Sequence, residues 1–311
     1  MKKISIVTPC YNENENINFC YNSIKVLFKT ELNNYEYEHI FCDNNSRDGT
    51  QEKLRTIASK DKNIKIIFNS RNFGSQKSNL NGIKNSSGDA VVLYFPADVQ
   101  DPAEIIIQFV KYWEKGFELV YGSRKKRREN FALTFCRKLF YIILNIGSKN
   151  LIPSDISDYQ LVDKKIVDEI KKNNDTDPLL RSLPFSITDN YKKIDYNMNP
   201  RKAGKTKFSF FSLFDYALSG LLNVSYTPFR IILYFGITIS LFSIFFVAYF
   251  MFEFYFFRPD IGRGIPLLIT FLFFFSGIQI FLIGMIGEYL VAIHKQVKNK
   301  ENLVEKEKIN F

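Results

Sequence analysis

Along the first 125 residues, short apolar runs alternate with stretches in which apolar residues recur every three or four positions. The runs "KISIVTP" (3–9), "EHIFCD" (38–43), "IKIIFN" (64–69), "AVVLYF" (90–95) and "FELVYG" (117–122) predict strands. The stretches 15–29, 48–60, 75–86 and 102–115 predict helices, the second capped by Ser46 or Asp48. This alternation predicts an α/β domain with a mostly parallel sheet and helices on both faces, and such sheets bind ligands beyond the carboxyl ends of their strands. The polar clusters "TPCYNENEN", "CDNNSRDGT", "NSRNFGS" and "PADVQDP" fall at those ends, so four strands carry polar or acidic residues to one rim. Residues 126–200 show a mixed pattern that assigns no elements.

Beyond residue 200 the pattern changes. Residues 201–228 combine a basic start with Phe208, Phe210, Phe211, Leu213, Phe214, Leu218, Leu221 and Leu222, which predicts an amphipathic helix lying in a membrane interface. Residues 231–252 and 265–287 contain no charged side chain. At about 1.5 Å per residue each run spans roughly 33 Å as a helix, enough for a hydrocarbon core of about 30 Å. Two adjacent runs of this length are read as two transmembrane helices rather than buried core helices. Both lie near the C-terminus, the wrong position for a signal peptide. The expected division is therefore a cytosolic α/β domain at 1–200, an interfacial segment at 201–228, a two-helix membrane domain at 229–294 and a charged tail at 295–311.

The chain carries a net charge of +10, and 46% of its residues are hydrophobic, with 32 phenylalanines. Nucleic acid and a membrane surface both explain a basic chain, and the position of the charge decides between them. Arg201, Lys202, Lys205 and Lys207 precede the first apolar run, and Lys295, Lys298 and Lys300 follow the second. In the connecting loop 253–264, Glu253 and Asp260 cancel Arg258 and Arg263. The positive-inside rule puts both termini in the cytoplasm of a cell-membrane protein. No nucleic-acid module is visible. Cys10, Cys20, Cys42 and Cys136 lack metal-ligand spacing and read as reduced, buried thiols. His39 and His294 read as structural or surface residues.

Eight pieces now fall in order: "VTPCYNENENI" (7–17), "DNNSRDGT" (43–50), "SRNFGS" (70–75), "ADVQDPAE" (97–104), "YGSRKK" (121–126), "SDYQLVDKK" (157–165), "RKAGKTKF" (201–208) and "GEYLVAIHKQVKN" (287–299). In this the chain resembles the family 2 glycosyltransferases of the GT-A (Rossmann-like) fold. The likeness is strongest to the polyprenyl-phosphate sugar transferases, the group of the dolichyl-phosphate mannose synthases and bactoprenyl-phosphate glucosyltransferases. The resemblance covers the whole chain and implies an inverting hexosyltransferase. It would move a sugar from a nucleotide-sugar, a UDP-sugar first among them, to an undecaprenyl or dolichyl phosphate on the cytosolic face, in the service of cell-envelope polysaccharide. Pro9, Tyr11, Glu13 and Asp43 match the positions that hold base and ribose, and Asp98 belongs to the donor site as well. The family has a second acid after Asp43, where this chain has Asn44, which can still bond a neutral base.

The family pattern Asp-x-Asp-x-Gln-Asp-Pro reads here Pro96-Ala97-Asp98-Val99-Gln100-Asp101-Pro102, so its first acid is a proline. Mg²⁺ or Mn²⁺ at such a site draws much of its shell from pyrophosphate and water, so Asp98 with Gln100 suffices as the protein's share. Asp101 is read as the cap of the next helix above Pro102. The acceptor phosphate is already anionic and needs positioning and charge compensation more than a base. Arg124 matches the family's basic residue after the fifth strand, with Arg137 and Lys138 one segment further on. Lys125 to Arg128 read as surface. Asp158 matches the acid close to the acceptor, to orient the sugar or serve as base. Arg201 and Lys207 match the basic ends of a loop that contacts a phosphate of donor or acceptor. Self-association stays open.

Two other readings remain at this point. One is a transferase to another membrane lipid, or to a growing polysaccharide, although two spans are too few for a translocating synthase. The other, prompted by Pro96 and Asn44, is a membrane-anchored nucleotide-sugar-binding subunit that has lost catalysis. Retention of Asp98, Gln100, Arg124 and Asp158 counts against it.

Overall fold

The computed structural model describes residues 1–124, 153, 156–172, 179–199 and 303–311, together with scattered positions between 234 and 293 that include 275–279 and 282–287. The chain divides into two compact units. The first contains every strand described here. Its elements run β1 (Lys3–Cys10), α1 (Ile17–Thr30), β2 (Glu36–Asp43), α2 (Thr50–Lys60), β3 (Ile64–Asn69), α3 (Ser75–Lys84), β4 (Ala90–Val92), α4 (Ile105–Glu114) and β5 (Leu119–Arg124). They continue with β6 (Ile156–Asp163), α5 (Lys164–Lys172), α6 (Leu183–Ile187), β7 (Tyr191–Tyr196) and β8 (Glu305–Ile309).

The eight strands form one sheet in the order β7-β5-β6-β4-β1-β2-β3-β8. The pairs β1–β2, β1–β4, β2–β3 and β5–β7 are parallel, whereas β4–β6, β5–β6 and β3–β8 are antiparallel. The expected α/β sheet is present, and each antiparallel pair involves a strand, β6 or β8, from a region where the sequence pattern assigned none. The apolar run 90–95 contributes only three residues to β4, because the regular register with β1 ends at Val92. From there the Leu93 amide donates to Gln160 O and the Phe95 amide to Val7 O.

Strands β1, β2 and β4 are buried on both faces. Ile4, Ile6, Val7, Ile40, Phe41, Ala90, Val91 and Val92 show no accessible surface. This is why their sequences read as continuous apolar runs rather than alternating ones. Helix α3 packs against this layer through Gly82, where a Cβ would lie 2.4 Å from Val7 Cγ1 and 2.7 Å from Cys42 Sγ. Cys10, Cys20 and Cys42 are buried free thiols, as expected, and Cys136 lies outside the described residues. His39 is a core residue whose Nε2 meets Thr8 Oγ1 at 2.8 Å, while His294 lies outside the described residues.

The strand order turns back between β1 and β4. From β1 the chain steps outward to β2 and β3, then crosses to the other side for β4. The crevice at such a switch point is where open α/β sheets receive ligands. Three loops meet there: 11–16 after β1, 44–49 after β2 and 93–104 after β4.

The segment read as a charged tail returns to the sheet. Strand β8 pairs with β3 and covers the sheet edge, and residues 300–311 belong to the first unit. In the second unit, the described positions Tyr234, Phe242, Phe245, Tyr249 and Phe252 are helical and between 54% and 72% exposed. Among the described residues no helix is long and apolar enough to cross a membrane. The amphipathic segment 201–228 lies outside the described residues.

Candidate functional site

The loops after β1 and β2 are built mostly from each other. The Asn12 amide donates to Ser46 Oγ (2.8 Å), and the Arg47 amide donates back to Asn12 Oδ1 (2.9 Å). The Glu13 amide donates to Thr50 Oγ1 (3.0 Å) and the Asn14 amide to Asp48 Oδ2 (3.1 Å). Asn12 and Asn45 occupy the left-handed region, at φ 52° and 59°, which asparagine tolerates better than most side chains. The N-cap position of α2 is Gly49, at φ 91°, rather than Ser46 or Asp48. Asp48 still accepts from the Thr50 amide at 3.1 Å, and Ser46 turns to Asp43 instead.

Asp43 is fully buried at the end of β2. One of its oxygens accepts from the Ser46 amide (3.0 Å) and Gln51 Nε2 (2.8 Å), and the other from the Ser46 hydroxyl. Burial raises its pKa, and the Ser46 and Gln51 hydrogen bonds oppose that rise. The residue assigned to the donor therefore also holds the turn together. Asn44 is committed as well. Its Oδ1 accepts from Asn69 Nδ2 (3.0 Å), and its Nδ2 faces the Gly74 carbonyl at 3.4 Å. A carboxylate here would set oxygen against oxygen, which accounts for the amide in place of the second acid. Of the other expected donor residues, Pro9 is buried in β1, Tyr11 is 37% exposed at its end, and Glu13 is partly buried with its carboxylate on Asn16 Nδ2 (2.7 Å).

The loop after β4 carries the acidic motif. The Val99 amide donates to Pro96 O (3.0 Å), closing a tight turn, and Val99 sits at φ 51°. A β-branched residue in the left-handed region is strained, and such strain persists where the surroundings over-determine it. The turn presents Asp98, partly exposed, whose Oδ1 faces the Gln100 amide at 3.4 Å. Asp98 and Glu13 act on one buried point. Burial raises the pKa of the Cys20 thiol, Thr8 opposes, and both carboxylates raise it further. The loops after β1 and β4 leave the carboxyl ends of adjacent parallel strands.

Asp101 does not cap α4. The helix starts at Ile105 with Glu104 at its N-cap position. Asp101, fully buried, instead accepts from Arg124 Nη2 (2.9 Å), Arg124 Nε (3.2 Å) and the Tyr196 hydroxyl (2.6 Å). Burial disfavours the Arg124 charge, but Asp101 and Tyr196 outweigh it, so the guanidinium pKa rises above its ordinary value. Arg124 therefore reaches the rim at the end of β5 with its head fixed from behind. Asp158, on β6, is held in the same manner. Arg181 donates from Nε to Oδ1 (3.0 Å) and from Nη2 to Oδ2 (2.6 Å), with the two side chains 28% and 24% exposed. Gln160 Nε2 donates to Arg181 O (2.9 Å) and fixes the segment that supplies Arg181. These groups share one neighbour. Burial raises the Tyr94 phenol pKa, Asp158, Asp98 and Asp101 raise it further, and Arg124 opposes.

The structure thus sets Arg124 and Asp158 at the carboxyl end of β5 and the adjoining start of β6, and adds Arg181, Tyr196 and Gln160 as their partners, which the sequence reading missed. Arg181 had a signal, as the single charge in the apolar run "LLRSLPF" (179–185). Arg137, Lys138, Arg201 and Lys207 lie outside the described residues. Among the described residues no three acidic, histidine or cysteine side chains cluster as a metal cage. The donor set of the turn, Asp98 with the adjacent Gln100, fits a hard divalent ion that takes one protein carboxylate and completes its shell from ligand phosphates and water.

The family model described as Glycosyl transferase family 2 matches residues 5–171. The uncharacterised glycosyltransferase YkcC of Bacillus subtilis (strain 168) is 32% identical over 95% of this chain and 91% of its own length. The SfII prophage-derived bactoprenol glucosyl transferase of Shigella flexneri is 29% identical over 97% of both chains. Among solved structures, the glucosyl-3-phosphoglycerate synthase of Mycobacterium tuberculosis, in complex with Mn²⁺, uridine diphosphate and phosphoglyceric acid, aligns with a TM-score of 0.51 and 16% identity. That match covers 71% of this chain and 77% of that chain, and it carries the fold alone.

Proposed function

The chain belongs to glycosyl transferase family 2 and is a glycosyltransferase, and from that premise we propose that it moves one sugar from a nucleotide-sugar to a polyprenyl phosphate at the cytosolic face of the cell membrane. The observation that carries this reading is the pair of fixed ion pairs, Arg124–Asp101 at 2.9 Å and Arg181–Asp158 at 2.6 Å, set at the carboxyl end of β5 and the adjoining start of β6. Two guanidinium groups stand there already oriented by acids. A reaction between two phosphorylated partners calls for that distribution. Fixed positive charge compensates the phosphates, and pre-held groups need no reordering as the transition state forms.

In the proposed step, an oxygen of the lipid phosphate attacks the anomeric carbon from the face opposite the leaving group. A new C–O bond forms, the bond from that carbon to the diphosphate oxygen breaks, and its electron pair leaves with the nucleoside diphosphate. The attacking oxygen is anionic, so the step needs no strong base. Asp158 is read as the group that orients the sugar, and Arg124 as the group that holds the acceptor phosphate. Asp98 and Gln100 would hold Mg²⁺ or Mn²⁺, which supplies charge neutralisation on the leaving diphosphate. Tyr11, Glu13 and Asp43 are assigned to the base and ribose side. The assignment to a polyprenyl phosphate rests on the match, over 97% of this chain, to relatives named bactoprenol glucosyl transferase. The membrane anchor is read from the uncharged runs 231–252 and 265–287 and from the exposed aromatic side chains at the described helical positions.

The test is a screen of purified protein in detergent with UDP- and GDP-sugars, a short polyprenyl phosphate and diacylglycerol, with products identified by mass spectrometry and their anomeric configuration by NMR. A polyprenyl-phosphate-linked sugar of inverted anomeric configuration is expected. Transfer to diacylglycerol alone would sink the acceptor assignment, and retained configuration would sink the single displacement.

A further inference from the structure

Loop 70–74, between β3 and α3, lies at the same rim, with Ser70, Arg71 and Gly74 exposed. From inside it is held by the Gly74 amide donating to Asn72 Oδ1 (2.9 Å) and by Asn44 Nδ2 at the Gly74 carbonyl (3.4 Å). From outside it is held by β8. The Ser70 amide donates to Val304 O (2.9 Å), and Asn69 pairs with Glu305 across a break in register after Phe68. Strand β8 is in turn fastened to α2 and α3. Arg55 donates to Glu307 through both terminal nitrogens (2.6 and 2.5 Å) while lying 4.5 Å over the Phe68 ring. Asn85 Nδ2 donates to Glu305 Oε1 (3.3 Å), and Lys308 Nζ to Asn85 Oδ1 (2.8 Å). Asn310 Nδ2 donates to the carbonyls of Ala58 (2.9 Å) and Ile64 (2.8 Å).

We propose that β8 is a positioning element for the nucleotide site, setting the root of loop 70–74 so that the loop is ordered before the donor arrives. This rests on reading the rim as the nucleotide-sugar site. Glu305 and Glu307 are each bound by a side chain from a different part of the sheet's helical cover. A strand that merely covered the edge would not have to be bound at the loop root. The Ser70 amide and the register break put that contact at the one end of β3 that faces the ligand.

The experiment uses the full chain in detergent. Hydrogen exchange is followed at residues 70–74, and UDP and GDP binding is measured by calorimetry. Glu307→Arg sets a second guanidinium against that of Arg55. Exchange at 70–74 should rise while the rest of the sheet stays protected. Nucleoside diphosphate affinity should fall about five- to tenfold, the cost of ordering about one loop residue on binding, with kcat within about twofold. The swap Arg55→Glu with Glu307→Arg should restore both. Arg55→Gln, which breaks the pair without opposing like charges, should give the same sign at smaller size if the reversal proves too disruptive to fold. Unchanged exchange at 70–74, a rise spread over the whole sheet, or a swap that restores nothing would overturn the proposal. If the wild type binds neither UDP nor GDP, the nucleotide reading of the rim fails, and the exchange data still decide what β8 does to the loop.

Discussion

Arg124 holds Asp101 and is proposed to hold the acceptor phosphate, and two substitutions separate what one would confound. Asp101 shows no accessible surface and receives three hydrogen bonds, two of them from Arg124. In Arg124→Ala only the Tyr196 hydroxyl remains, and removing one partner of a buried pair costs about 3–5 kcal/mol. The Arg124 side chain is 28% exposed, so water softens the loss and the lower end of that range, about 3 kcal/mol, is expected. At about 2–4 °C per kcal/mol for a domain of this size, the melting midpoint falls by roughly 6–12 °C. Adding Asp101→Asn removes the stranded charge and should restore most of the midpoint. Transfer should behave differently. If the guanidinium holds the acceptor phosphate, glycolipid formation stays down about ten-fold or more in both proteins, a loss of about 1.4 kcal/mol or more, while donor affinity is kept. Thermal melts in detergent and a radiolabelled-sugar assay read the two quantities. The reasoning fails on stability if Arg124→Ala melts with the wild type. It fails on chemistry if the double variant regains transfer along with its midpoint.

Three further outcomes are expected. Asp98→Ala should abolish transfer at any Mg²⁺ or Mn²⁺ concentration and Pro96→Ala should be tolerated, while Pro96→Asp should lower the metal needed for half-maximal rate; a metal titration of these variants beside the wild type shows whether position 96 matters. A cysteine placed in loop 253–264 should react with an impermeant thiol reagent on intact cells and one near residue 300 should not, and equal labelling would overturn the topology. The fold should be acid-labile in two stages. His39, its pKa lowered by burial to about 3 from 6.5, and Glu38, lowered to about 2 from 4.5, both lose stability as pH falls, the first below about 6.5 and the second below about 4.5. Burial works against the Glu38 charge, and Lys3, Lys65, Ser5 and the Ser87 amide overcome it. Glu38→Gln should therefore flatten the lower stage, worth roughly 3 kcal/mol, in melts between about pH 5 and pH 2.5; an unchanged slope there would count against the network.

The central strands were legible because both faces of β1, β2 and β4 are buried, and such strands are rich in apolar residues, with buried Ser5, Thr8, Glu38 and His39 held by hydrogen bonds. Strand β8 was not, because at an edge its charged side chains meet solvent and single partners, and "EKEKI" reads as a tail until Ile309. Asp101 was misread for a related reason. Asp-Pro ahead of an apolar run is a helix-start signal, but the partners that claim its carboxylate, Arg124 and Tyr196, stand 23 and 95 residues away. Asp98 and Asp158 were singled out from motif order, and their geometry was not: the strained turn at Val99 and the Arg181 clamp are products of tertiary packing. Asp43 was half read, since an acid at a strand end serves a turn as readily as a ligand, and here both its oxygens serve the turn.

The return of β8 to β3 also sets an order of events during synthesis. The edge of β3 is made early, and the strand that covers it follows more than two hundred residues later. At about 5–20 residues per second, roughly ten to fifty seconds separate the two. Throughout that interval the nascent domain carries an open row of amides and carbonyls on β3, the kind of template that recruits other strands. The apolar runs 231–252 and 265–287 leave the ribosome in the same interval. The sheet is thus completed only after those segments have been made, and stalled or truncated chains would present this bare edge to chaperones and proteases as a mark of unfinished synthesis.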